Sequence, residues 1–281
     1  MTTTQTDKAN RFLELHRPGH PLLMPNAWDL GSAALLASLG FEALATTSSG
    51  HAATLGRLDG GVTRDEALAH ASELARGTDL PVSADLENGF ADDAAGVVET
   101  IGLAVQTGLA GCSVEDYSGG KHGQIYDLDL ARERVAAAVE VAHAGPVKLV
   151  LTARAENHIR GRDDLADTIA RLQAYQEAGA DVLFAPGLKV PEDIRRVVEA
   201  VERPVNVLAV PGAPSVAELA SLGVARISVG GAFAFAALAA LCDAAQELRE
   251  HGTYGYLERS AAGAKAARSA FADERASGGG A

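Results

Sequence analysis

The chain has 281 residues, 47% of them hydrophobic, and a formal net charge of −13. That length suffices for one large core, and an α/β barrel of this size is ordinary. The negative balance argues against nucleic acid and anionic membrane surfaces, so an anionic ligand would need a local metal, arginine or backbone N–H groups.

The two cysteines, Cys112 and Cys242, have no metal-ligand spacing and form no disulfide framework, which fits a reducing, cytoplasmic setting. The opening run MTTTQTDKANRF lacks the apolar core of a secretory signal. The longest uncharged run, Ile227 to Cys242, is shorter than the ~20 residues a spanning helix needs, and it contains a glycine pair. A soluble protein is expected.

Residues from about 6 to 17 read as a short leading helix. Strand-like apolar runs are then predicted at Pro21–Ala27, Ala43–Ser48, Pro81–Asp85, Gly111–Glu115, Val147–Ala153, Val182–Ala185, Val205–Ala209 and Ala225–Val229. After each comes a stretch of helical periodicity: the Ala/Leu run after Asp29, then Thr63–Arg76, Asp92–Thr107, Leu128–His143, Arg162–Glu177, Pro191–Val201, Ser215–Leu222 and Gly231–Leu248. Strand-then-helix repetition means right-handed crossovers and a parallel sheet, and eight such units predict a closed (β/α)8 barrel of the TIM type. Gly40, Gly179 and Gly223 stand just before strands, where a helix C-cap glycine belongs. No GxGxxG follows the first strand and no GxxxxGK[ST] occurs, which counts against nucleotide folds. The reading is one barrel domain over 1–281, with a helical extension over 254–281 that ends in a flexible Gly-rich stretch.

The chemistry of a barrel lies at the C-terminal ends of its strands. The run Val82 to Phe90 is a strand-like stretch ending in Asp85 and Glu87, which alternate to one side. Two like charges placed together need a cation or a proton between them. The next strand ends in Glu115-Asp116, and converging acids suggest a hard cation, Mg²⁺ most simply. Helix caps or solvated loop charges are the plainer alternative. Arg154 at another strand end suits a bidentate carboxylate clamp, although it could instead pair with Glu156 or Glu115. Cys112 reads as a small core residue.

These residues resemble the isocitrate lyase/phosphoenolpyruvate mutase superfamily over nearly the whole chain. The likeness rests on Pro25-Asn26-Ala27-Trp28-Asp29, Leu55 to Gly61 with its Arg57 and Asp59, Asp85-x-Glu87-x-Gly89-Phe90 and Val114-Glu115-Asp116. Thr152-Ala153-Arg154 and Asn206-Val207-Leu208-x-x-Pro211-Gly212 complete it. The resemblance implies a Mg²⁺ (or Mn²⁺) site in which Asp85 binds directly and Asp59, Glu87 and Glu115 hold the water shell. It also implies Arg154 on the substrate carboxylate. Backbone N–H groups at Thr47-Ser48, or at Ser48-Ser49, would take the other carboxylate or oxyanion. Trp28 and His51 would line the pocket, with core packing the plainer alternative.

The chain departs from the family after Glu115. Lyases of this kind carry a Lys-Lys/Arg-Cys-Gly-His loop whose cysteine is the acid/base, whereas here Gly119-Gly120-Lys121-His122-Gly123-Gln124 places Gly123 at that position. The segment offers His122 as substitute, its unperturbed pKa of about 6.5 suiting proton transfer; an exposed loop histidine is the plainer alternative. The expected activity is lyase-like or decarboxylase-like: cleavage or formation of a C–C bond beside the oxo group of a small 2-oxo or 2-hydroxy acid, a dicarboxylate other than isocitrate, through an enolate-like intermediate. Alternatives are C–P chemistry of the phosphoenolpyruvate mutase or phosphonopyruvate hydrolase type, a ketopantoate-forming hydroxymethyltransferase, and a non-catalytic oxo-acid-binding barrel. A homo-oligomer, dimer or tetramer, is expected, with the C-terminal helix exchanged between subunits as the family does.

Overall fold

The computed structural model describes residues 3–119 and 123–272. It begins with α1 (Gln5–Glu14), β1 (Leu22–Met24), β2 (Asn26–Ala27), α2 (Leu30–Ser38), β3 (Leu44–Thr46), α3 (Ser48–Thr54) and α4 (Arg64–Arg76). The middle of the chain gives β4 (Val82–Asp85), α5 (Ala94–Val105), β5 (Gly111–Glu115), α6 (Leu128–His143), β6 (Val150–Arg154), α7 (Leu165–Glu177) and β7 (Val182–Phe184). The last part gives α8 (Pro191–Ala200), β8 (Val205–Leu208), α9 (Val216–Ser221), β9 (Arg226–Ser228), α10 (Ala232–His251) and α11 (Leu257–Ala272). Helix starts coincide with capping side chains: Thr4, Asp29, Thr63 and Ser215 each close a capping box.

All strand pairs are parallel, in the order β1-β9-β8-β7-β6-β5-β4-β3-β2. β1 and β2 are halves of one strand divided at Pro25, β1 pairing with β9 and β2 with β3. The two ends of that order are consecutive in the chain, so the sheet closes into a (β/α)8-type barrel. Pro25 has no N–H to donate, yet its carbonyl still accepts from Ala45 N–H at 2.9 Å.

Leu74, Leu86, Ile101, Leu151, Leu172 and Leu183, all fully buried, fill the layer between strands and helices. Cys112 is fully buried there too. The helix α1 covers the lower end of the barrel, where Phe12 is fully buried and a Cβ on Gly111 would lie 2.8 Å from its Cε1. Only glycine fits that approach.

His16, just past α1, enters the barrel floor. Its Nδ1 bonds the Phe12 carbonyl at 2.7 Å and its Nε2 meets Arg226 Nη1 at 3.1 Å. Arg226 is 2% exposed, and its remaining nitrogens donate to neutral partners, Asn206 Oδ1 and Thr152 Oγ1. Burial, with Arg154 nearby, pulls the Arg226 guanidinium down to about 9, and burial with Arg226 pulls His16 down to about 3.

One local expectation is corrected. The strand expected over Ala43–Ser48 stops at Thr46, because Thr47 Oγ1 accepts from Gly50 N–H and starts α3 at once. The C-terminal helix α11 packs on α2 of its own chain, with Ala270 buried and Phe271 against Gly31. The Gly-rich end expected to fray lies outside the described residues. Along α10, Ala234 is the one buried residue, while Phe233, Phe235, Leu238 and Leu241 stay exposed. Among the described residues, no helix is long and apolar enough to cross a membrane.

Candidate active site

The strand ends converge on a cleft of about 210 Å³ whose lining includes Asp85, Arg154, Thr47, Ser48 and Asp59. Arg154, the last residue of β6, is the hub. Its Nη1 meets Asp85 Oδ1 at 3.0 Å, and its Nη2 meets Glu115 Oε2 at 3.0 Å and Glu156 Oε1 at 2.8 Å. Arg160, one 3₁₀ turn further on, pairs with the same two glutamates at 3.4 and 3.1 Å and covers the Tyr117 ring at 3.8 Å. Glu156 is fully buried and Glu115 is 7% exposed. Burial drives the Glu115 carboxyl well up, Glu156 and Asp85 add to it, and the two arginines oppose it.

Asp116 holds this arrangement from behind. Its Oδ1 accepts from Glu156 N–H at 2.8 Å, and its Oδ2 accepts from Tyr175 OH at 2.6 Å and Arg171 Nη1 at 3.1 Å. The ends of β5 and β6 are thereby tied to α7.

On the other side, Asp85 Oδ2 accepts from the Ser48 hydroxyl at 3.1 Å and from Ser48 N–H at 3.4 Å. Thr46 Oγ1 accepts from Asp85 N–H at 2.9 Å, so β3 and β4 set the carboxylate together. Past the strand, Glu87 sits at φ +48° and Phe90 at φ +56°, left-handed values that cost strain in non-glycine residues and tend to collect at functional turns. Burial, then Asp85 and Asp59, push the Glu87 carboxyl up to about 7. Behind Asp85 and Glu87, a small cavity is closed by His51 and His70, stacked with ring centroids 3.8 Å apart. Burial and His51 hold His70 at about 4, and its Nε2 bonds the Trp28 carbonyl at 3.1 Å.

The model of the phosphoenolpyruvate phosphomutase family matches residues 12–249. The chain belongs to that family. Within the isocitrate lyase/phosphoenolpyruvate mutase superfamily, it is similar to a crystal structure from Burkholderia cenocepacia described as a lyase or mutase. That likeness has a TM-score of 0.87 and 51% identity over 90% of this chain and 92% of the other. It is 30% identical to an oxaloacetate decarboxylase of Chromohalobacter salexigens, covering 89% of this chain and 88% of that protein. It is 31% identical to a 2-methylisocitrate lyase of Halalkalibacterium halodurans, covering 72% and 67%.

Within this family fold, the structure brings Asp85, Glu115, Arg154, Thr47 and Ser48 to one place, with Asp59 and Glu87 at the rim. Trp28 is not brought to the cleft: it is half-buried beside Gly50, and its carbonyl serves His70. His122 lies outside the described residues. Thr47 Oγ1 is engaged as the α3 cap. Sequence reasoning did not single out Glu156 and Arg160 as site residues. The i,i+2 step from Arg154 and the i,i+4 step to Arg160 were the available signals.

A hard cation fits this donor set. Every candidate ligand is a carboxylate oxygen, and Glu87 lies so near Asp85 and Asp59 that its charge is opposed without a counterion. Among the described residues, no three His, Cys, Asp or Glu side chains stand close enough to cage an ion. Mg²⁺ is commonly bound through one or two carboxylates and keeps several waters, which a donor set of carboxylates allows.

Proposed function

We propose that this chain is a Mg²⁺- or Mn²⁺-dependent enzyme making or breaking a C–C bond beside the oxo or hydroxy carbon of a small anionic acid. The observation that carries it is the Asp85–Arg154 pair at the floor of the cleft, ringed by Glu115 and Glu156 and faced by the Ser48 N–H and hydroxyl. Asp85 is the direct ligand, while Asp59, Glu87 and Glu115 order its water. The bound ion would act as a Lewis acid on the substrate's carboxylate and oxo oxygens.

Arg154 is oriented by Glu115, Glu156 and the Phe184 ring, 5.2 Å away, so its guanidinium is in place before the substrate carboxylate arrives. The Ser48 N–H and hydroxyl, which donate to Asp85 Oδ2 in this structure, would serve an oxyanion once Asp85 turns to the cation, and removal of one such donor typically costs roughly 10²–10³ in turnover. His122 is assigned the proton at the reacting carbon. The named activities of the two curated relatives, decarboxylation of oxaloacetate and cleavage of 2-methylisocitrate, support chemistry next to a carboxylate-bearing carbon. Phosphonomutase-type C–P chemistry is the second reading, supported by the family match.

The same reading makes the protein a cytoplasmic homo-oligomer, dimer or tetramer, with the exposed apolar face of α10 at the subunit contact. The test of the function is a panel of 2-oxo, 2-hydroxy and phosphono acids incubated with protein and Mg²⁺. Pyruvate, oxalate, glyoxylate or phosphate release is followed. Release that stops with a chelator supports the proposal. Oxalate binding with no turnover on any member would favour a binding-only barrel.

A further inference from the structure

Arg226 carries a buried charge with no carboxylate beside it. It is 2% exposed on β9, and among the described residues its nitrogens meet three neutral acceptors: Asn206 Oδ1, His16 Nε2 and Thr152 Oγ1. His16 can accept because its Nδ1 proton goes to the Phe12 carbonyl at 2.7 Å, which leaves Nε2 bare. Burying a guanidinium against neutral partners is costly, and an apolar side chain would fill the same space without that cost. What the arginine adds is direction, since a guanidinium donates and never accepts.

That direction passes from β9 to β8 and back. Asn206 and Arg226 are register partners, and Arg226 and Ser228 alternate to one face of β9. Because Arg226 Nε only donates, the end of the Asn206 amide that lies 3.0 Å from it is the carbonyl oxygen. The amide nitrogen is therefore turned to Ser228 Oγ, also at 3.0 Å, and the serine must accept. Its own proton has no acceptor among the described residues. Ser228 is 5% exposed and lines the cleft, whereas Asn206 and Arg226 lie beneath it. The hydroxyl proton is thus left for whatever occupies the cleft, in a wall where the side chains of Phe184, Leu208 and Met24 offer no donor. Gly231, at the start of α10 where no side chain caps the helix, lines the cleft as well.

We infer that Arg226 is a positioning residue: through Asn206 it holds Ser228 as a hydrogen-bond donor, so that this end of the cleft selects a ligand oxygen. The inference rests on the proposed oxo-acid head site and goes beyond it. The substrate's carboxylate and oxo oxygens lie on the Asp85–Arg154–Ser48 side, and a carboxylate or carbonyl oxygen further along the same molecule meets Ser228. Were the amide reversed, the serine would present lone pairs there and repel that oxygen.

Calorimetry on the full-length, Mg²⁺-loaded protein tests this with two probes: oxalate for the head site alone, and each enantiomer of malate, which adds a distal carboxylate. Oxalate and one malate should bind, and Ser228→Ala should weaken the malate at least about tenfold while leaving oxalate unchanged. Asn206→Asp is isosteric and supplies the missing counter-charge, so the urea midpoint should hold or rise. Ser228 then turns its proton to the new carboxylate, and malate affinity falls. Made in the Ser228→Ala background, the same change should cost less, because the two losses share one hydroxyl. Arg226→Lys keeps a donor-only cation and should bind malate better than Arg226→Gln, which can present either end of its amide. Equal cost of Asn206→Asp in both backgrounds would mean that only charge is read, and would overturn the inference. Oxalate binding with no malate binding, or no loss in Ser228→Ala, would overturn it too and leave the head site standing. Failure of oxalate itself to bind would overturn the head-site reading and this inference with it.

Discussion

Asp85 and Arg154 meet at 3.0 Å across the mouth of the barrel, one at the end of β4 and the other at the end of β6, with β5 between them. The carboxylate proposed as the metal ligand is thus also a partner of the proposed substrate clamp. Under the proposed assignment a cation on Asp85 would release Arg154 Nη1 for an anion, while Nε and Nη2 stay with Glu156 and Glu115. Metal first and acid second is the order that this pairing favours.

Asp85→Ala is expected to abolish Mg²⁺ binding in calorimetry. Glu87→Ala, which acts through water, is expected to weaken it by roughly 10–100-fold. Retention of wild-type affinity in Asp85→Ala would remove that residue as the direct ligand.

Arg154→Ala should harm both the site and the fold. Glu115 and Glu156 would lose their main counter-charge in a buried setting, and breaking a buried pair from one side typically costs about 3–5 kcal/mol. The expected result is a lowered urea midpoint together with lost oxalate affinity. An unchanged midpoint would show that Arg160 suffices as the counter-charge of the two glutamates.

Acid should loosen the lower barrel and the wall behind Asp85. His16, at about 3, and His70, at about 4, lie below the unfolded imidazole value near 6.5. The unfolded chain therefore takes up protons that the folded chain refuses. Their contribution is whole above about pH 6.5 and is lost as the pH falls towards 4 and 3. Glu87 has the opposite sign: raised to about 7 in the metal-free fold, it contributes most at low pH and loses that contribution as the pH rises to 7. In metal-free Glu87→Gln, the urea midpoint should fall more steeply between pH 7 and 5 than in the wild type, and adding His70→Gln should flatten the fall. A flat profile in the single variant would refute the histidine assignment.

Light scattering at micromolar concentration is expected to give a multiple of the 28.9 kDa chain mass. Leu241, 65% exposed on α10, is the position for a disruptive charge, and Leu241→Lys should shift the population towards monomer with the circular dichroism spectrum preserved. A wild-type protein already at the mass of one chain would rule out the assembly.

Much of the architecture was legible in the one-dimensional pattern. Alternating apolar runs and helical periods, with glycines at helix ends, predict a closed parallel barrel, and every expected strand run overlaps an observed strand. The acids at strand ends could be read because a barrel sends that one position of each strand to the same mouth. The α3 helix was missed because it turns on a single hydroxyl, Thr47 Oγ1, and serine-rich stretches read equally well as turns.

The sequence by itself determined the fold class and pointed to the strand-end carboxylates Asp85 and Glu115 and to Arg154 as candidates, on an acidic chain with family motifs; it left out Arg160. Tertiary structure alone decided how those groups share charge. Arg154 meets Asp85 over a separation of 69 residues, and Arg226 meets His16 over 210. Local propensity carries no information about such pairs, because they form only when strand register and barrel closure bring distant residues within a few ångströms. The apolar far wall of Phe184, Leu208 and Met24 is decided in the same way. Each of those residues reads as core until closure turns one side of it towards the cleft.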